Sequence, residues 1–189
     1  MKHLSTLFGP IAALAFGGAL LAAALGSGCA NPAVTDPIDA LGPEPESPGP
    51  GPLHRRGQAC LLCHNGGIAR DFSAAGTVYA TPEEKIPVTG ATVTIVDAVG
   101  HKLEGKTNCA GNVFWDRESD PVVFPLRAEV LCTLPDGTTR RNVMGSRIDR
   151  DGSCSGCHVG SPSATSPGRV SCAPSEPNPA FVAPACEGG

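Results

Sequence analysis

The stretch "GATVTIVDAVG", Gly90 to Gly100, sets Val93 and Ile95 against Thr92 and Thr94 and then closes on a Gly-containing turn. Alternation with a period of two places apolar side chains on one face of an extended chain and hydroxyls on the other, the signature of a half-buried strand. The same grammar recurs on both sides. "AGTVYA" (75–80) precedes it, a third strand follows from "VGHKLEG", and "GNVFWD" (111–116) and "PLRAEVLCTL" (125–134) come next. "PDG" (135–137) is then a turn before "TTRRNVM". Short strands punctuated by Gly, Pro, Asn and Asp predict a mostly β fold: an antiparallel sandwich, prealbumin- or immunoglobulin-like, of about six or seven strands over residues 75–146.

Composition limits the rest. Of 189 residues, 24 are Gly and 19 Pro, against one Trp and one Tyr, so much of the chain is expected outside a packed interior. A net charge of -4, with Lys and Arg scattered, provides no stripe for a nucleic-acid backbone. The first residues read as an address. Lys2 and His3 precede an apolar run from Ile11 to Leu25 and then small residues, the pattern of an export signal over 1–28. The alternative of a membrane-spanning helix needs roughly 20 apolar residues. Cys29 in "LGSGCA" resembles the cysteine of a bacterial lipobox, which implies a lipid anchor; ordinary cleavage near Ala24 is the other option. Prolines at 32, 37, 43, 45, 48, 50 and 52 make residues 29–53 an expected extended tether.

Nine cysteines in an exported chain leave at least one outside any disulfide, and Cys29 takes that place. Four others form "CLLCH" and "CSGCH": Cys60, Cys63, His64 and Cys154, Cys157, His158. C-x-x-C-H is the attachment signature of c-type haem, in which two thiols form thioethers to one edge of the macrocycle and the imidazole meets the iron from one face. The segments 54–74 and 147–160 are therefore expected to carry two covalent haems. Three alternatives stand beside this. A four-thiolate zinc site usually separates its pairs by about 15 to 20 residues. A thioredoxin-like dithiol needs a β-α-β setting that neither flank supplies. Plain disulfides within each pair are the third.

The order "GTVYA", "GATVTIVDAVG", "TNCAGNVFW", "FPLRAEV", "GSCSGCH" resembles the prealbumin-like or carboxypeptidase-regulatory-like sandwich found inside some bacterial multihaem c-type cytochromes and related exported lipoproteins; the resemblance covers Gly76 to His158. It implies electron transfer at the cell envelope, in the periplasm or at the outer membrane of a Gram-negative bacterium, with envelope redox proteins as partners and a lipid anchor in the membrane. Within it Cys109 departs from the ordinary small residue and is paired with Cys132 across the sandwich. Cys172 and Cys186, in the Pro-rich tail 161–189, pair by proximity. Similar cytochrome segments carry a Met near position 144, so Met144 is a candidate distal ligand, with a core methionine as the alternative. His54, beside Arg55 and Arg56, is another candidate, set against a solvated end of the tether; His101 is a third, set against an exposed hairpin turn. Two other functions compete: a dihaem peroxidase, and a haem-free adhesion or binding lipoprotein stapled by disulfides. "DRDGS" (149–153) lacks the later glutamate of a calcium loop, and nothing supports a hydrolase.

Overall fold

Small and β-branched residues alternate along the middle of the chain, and the computed structural model turns that alternation into two antiparallel sheets. It describes residues 32–44, 46, 48–173 and 186. The export signal and Cys29 lie outside the described residues, and so does most of the tail. The chain divides into two units, residues 1–40 and 41–189.

In the first unit the described residues form one helix, α1 (Pro32–Asp39). This corrects the expectation of a tether with no helix. Pro32 opens the helix, where a missing N–H has no partner to lose. Pro37 gives up one bond, and the turn closes with the Ala40 N–H donating to the Asp36 carbonyl at 3.0 Å.

The second unit holds β1 (Phe72–Thr77), β2 (Thr92–Val96), β3 (Lys102–Lys106), β4 (Asn112–Asp116), β5 (Arg127–Thr133) and β6 (Thr139–Val143). One sheet runs β3-β2-β5-β6, the other β1-β4. Register fixes the faces: Val93 lies between Gly105 and Val130, and Ile95 between Leu103 and Ala128. These residues meet Ala74, Val113 and Trp115 of the smaller sheet in one buried core. Gly105 permits the close approach, since a Cβ there would lie 2.9 Å from Val113 and 3.1 Å from the Trp115 ring. The outer face carries Thr92, Glu104, Glu129 and Arg141, the last two forming an ion pair. Asp136 and Gly137 make the expected β5–β6 turn, Gly137 at φ 84° donating to the Leu134 carbonyl at 2.9 Å.

The first strand starts three residues earlier than the expected Ala75. Phe72 is 7% exposed and belongs to the sheet, whereas Val78 to Ala80 have left it. Gly111, at φ 76°, causes the departure: its carbonyl accepts the Val78 N–H, and a Cβ there would lie 2.5 Å from the Val78 carbonyl.

The larger sheet has four strands and the smaller two, and the segment after the second C-x-x-C-H, a strap, runs along the uncovered edge while all five residues of β6 stay exposed. Tyr79 and Ala80 exchange backbone hydrogen bonds with Val170, Cys172 and Ala173 at 2.8 to 2.9 Å. Asn142 Nδ2 donates to the carbonyls of Ser171 and Cys172. The disulfides correct both expected pairings. They join Cys132 to Cys172 and Cys109 to Cys186, with Cα separations of 5.7 and 5.4 Å. Cys132 points inward on β5 toward the strap at Cys172, while Cys109 sits in the 108–111 turn at the rim.

Residues 41–53 also depart from an extended tether. Arg55 donates to the Leu41 and Gly42 carbonyls and pairs with Glu44 at 2.9 Å, and Pro52 accepts from Asn108 and Asn112.

Candidate functional site

Two segments with different flanks fold into the same turn. Ala59 and Ser153 are extended, at φ/ψ of -74°/91° and -80°/102°, and each leads into a 3₁₀ turn, Cys60–Leu62 and Cys154–Gly156. In both turns the second Cys N–H donates to the first Cys carbonyl at 3.2 Å, and the His N–H donates to the same carbonyl at 2.9 Å. Cys, Cys and His are thereby gathered on one turn of chain.

The imidazoles are fixed alike. His64 Nδ1 is 2.8 Å from the Arg70 carbonyl, and His158 Nδ1 is 2.8 Å from the Gly168 carbonyl. A carbonyl only accepts, so Nδ1 carries the proton and Nε2 keeps its lone pair, the tautomer of an iron- or zinc-ligating histidine. His54 has the opposite arrangement. Its Nδ1 accepts the Gly51 N–H at 3.1 Å, which puts the proton on Nε2 and makes this side chain a donor toward the cavity. Its ring stands 5.8 Å from His64 in a stack that continues through Phe72 to Phe114, with centroid spacings of 4.1 and 4.8 Å.

Both turns pack on β1, whose six residues are all buried. Its sequence "FSAAGT" keeps side chains small where the turns approach. The Ala75 N–H donates to Gly152, just before the second motif, at 3.0 Å. At Gly76 a Cβ would lie 2.7 Å from Cys154 Sγ. Gly76→Ala is therefore expected to push Cys154 out of its seat, and alkylation of Cys154 in the haem-free chain, followed by peptide mass, should quicken severalfold. An unchanged rate would show that β1 does not position this sulfur.

Burial pushes the Cys60 thiol from 9.0 up to about 11 and the Cys154 thiol up to about 12, with the neighbouring Cys60 adding to the second shift. Both stay neutral near pH 7, and the thiolate is the reactive form. Because these values are raised, their contribution to stability is complete below the unfolded value near 9 and is lost as pH rises through about 11 and 12. The denaturation midpoint of the haem-free chain should fall between pH 9 and 11, and Cys60→Ala with Cys154→Ala should flatten that slope. Equal slopes in the two proteins would contradict the burial of these thiols.

Of the cavities beside the turns, two are lined by both cysteines and the histidine of a motif. The first, about 400 Å³, is lined by Cys60, Cys63 and His64 with His54, Phe72 and Phe114. The second, about 650 Å³, lies where the smaller sheet fails to cover β5 and β6. Cys154, Cys157, His158 and Met144 line it, and so do apolar residues such as Val130 and Val170. Met144 is half-buried, held by its N–H donating to Ala128 at 3.0 Å. Arg147, Arg150 and Arg169 stand at the same cavity, and Ser153, which also lines it, has a buried hydroxyl with no partner among the described residues.

Thus the structure brings Met144 to the second motif and His54 to the first. His101 lines neither cavity. It is exposed at the β2–β3 turn, where Asp97 accepts its N–H at 2.8 Å and itself donates to the His101 carbonyl. Sequence reasoning missed the carbonyls of Arg70 and Gly168 and the three arginines of the second cavity. The run "SRIDRD" signalled two of those arginines, but backbone carbonyls leave no sequence mark. Among the described residues, no three His, Cys, Asp or Glu side chains stand close enough to share one metal ion, and no helix is long and apolar enough to cross a membrane. No family model, curated protein or solved structure compared with the chain matches it.

Proposed function

We propose that each C-x-x-C-H turn holds a covalently attached haem and that the protein carries electrons at the cell envelope. The observation that carries this reading is the duplicated turn, in which His64 and His158 each commit Nδ1 to a carbonyl and present Nε2. The residues fit the group. Two thiols and one imidazole share each turn beside a cavity of the size ligand pockets ordinarily have, and at the second Arg147, Arg150 and Arg169 stand among Glu129, Asp149 and Asp151. An unsatisfied Ser153 hydroxyl offers the second cavity a further hydrogen bond. Haem supplies one-electron exchange between two oxidation states of iron.

The chain's own residues set the conditions of that exchange. The carbonyl bonds on Nδ1 fix imidazole orientation and raise its basicity. Met144 lines the second cavity and would offer a haem held there a soft neutral thioether, which would favour the reduced state. In the first, the Phe72 and Phe114 rings wall off one side of His64. A tetrathiolate zinc site would draw on the four sulfurs alone, and the imidazole fixed beside each pair is what supports haem over it. The adhesion alternative needs the paired cysteines as disulfides, and alkylation before and after reduction separates it from thioether attachment at Cys60, Cys63, Cys154 and Cys157. A peroxidase needs an open distal position, which is where Met144 decides. Export and lipidation at Cys29 complete the proposal, on the strength of the N-terminal sequence.

Met144→Ala tests the second site. The haem of Cys154 and Cys157 should lose potential and begin to bind cyanide, because one neutral ligand has gone. An unchanged spectrum and cyanide affinity, with stability lowered by about 2 kcal/mol, would make Met144 a packing residue.

A further inference from the structure

A smaller cavity, of about 340 Å³, is lined by Arg56, Gly57, Lys85, Arg169, His158 and Tyr79, with no carboxylate in its wall. The three cations come from separate parts of the chain: just before the first motif, the loop after Tyr79, and the strap. Among the described residues none of them pairs with an acidic side chain. Arg169 is held in place. Its Nη1 donates to the Pro82 and Glu83 carbonyls at 3.2 and 2.7 Å, and its guanidinium lies 5.6 Å above the Tyr79 ring. Burial pushes the Tyr79 phenol up, so it stays a hydrogen-bond donor, while Arg169 and Arg56 pull the other way because both stand close. Gly57, at φ 75°, lets the backbone close against the Tyr79 hydroxyl, since a Cβ there would lie 2.2 Å from that oxygen.

One anchored guanidinium, two exposed cations and a phenol donor, with no carboxylate among them, form a receptor for an anion. We propose that this pocket binds a small tetrahedral oxyanion, phosphate or sulfate, through Arg56, Lys85, Arg169 and the Tyr79 hydroxyl. The bound charge lies beside His158, whose Nδ1 is held by the carbonyl of Gly168, the neighbour of Arg169. Resting on the haem reading, the site therefore regulates the second centre: a nearby negative charge favours the oxidised state and lowers its potential.

Tyr79 is the sole tyrosine, so it reports the pocket alone. The full chain, labelled with ¹³C-tyrosine and kept reduced at neutral pH, is titrated with inorganic phosphate while chloride holds ionic strength constant. The single ring signal should shift saturably, and Arg56→Gln with Lys85→Gln, both exposed, should weaken the apparent affinity at least about tenfold. No saturable shift, or one curve for both proteins, overturns the proposal; this includes the case in which the protein's own haem carboxylates already fill the pocket. A lowered potential of the second centre in phosphate supports the regulatory role. A saturable shift in natively produced protein whose mass shows no haem upholds the pocket and overturns the reading of the turns.

Discussion

Cys154→Ser with Cys157→Ser should leave one haem per chain where the parent carries two. Serine cannot form the thioether, and nothing else in the second cavity makes a covalent bond. The first site should keep its load, because its sulfurs, its His64–Arg70 bond and its cavity belong to a different turn. Haem per chain, from the alkaline pyridine spectrum against protein mass, reads the result. A ratio and spectrum identical to the parent would show that the second turn carries no haem, and the account would fail for that half.

Removing the Cys132–Cys172 disulfide with two alanines should have the larger effect on stability. The bond spans 40 residues, and closing a loop of that length stabilises by about 4 kcal/mol in the chain-entropy account, roughly 10 °C of melting temperature for a chain of this size. Both sulfurs are buried, so the substitution also loosens the core. The functional consequence follows from the strap. It brings the Gly168 carbonyl to His158 and Val170 to the cavity, so the second site should lose occupancy while the first keeps it. Cys109→Ala with Cys186→Ala should spare both sites, since that bond joins Cys186 to the 108–111 turn and neither cysteine lines a site cavity. Melting and haem content identical to the parent after loss of Cys132–Cys172 would show that the strap supports neither.

The sheet was legible because Val93 and Ile95 alternate with hydroxyls, and because Asp136 and Gly137 have the turn chemistry that a hairpin demands. Burial on both faces of "FSAAGT" removed that alternation from β1, so its start was read three residues late. Disulfide partners were illegible for a similar reason. Cys109 and Cys132 suggested strands facing each other, but pairing followed from a strap that only the folded chain lays beside Tyr79. Proximity likewise failed for Cys172 and Cys186, whose partners are distant in sequence. Proline count concealed α1, because Pro32 at a first position costs nothing. At the sites, the Cys and His residues were plain in sequence; the atoms that orient them were not, since Arg70 and Gly168 act through carbonyls. His54, a candidate ligand set against a solvated end of the tether, lines the first cavity with its Nδ1 taken by the Gly51 N–H.

Intact mass of the natively produced chain, read before and after reduction and alkylation, tests the central claim most directly. Two haems, two disulfides and, if Cys29 is lipidated, its acyl groups should account for the difference from the polypeptide, with Cys60, Cys63, Cys154 and Cys157 refusing alkylation. A mass equal to the bare polypeptide, with those four cysteines taking up the reagent, would contradict it.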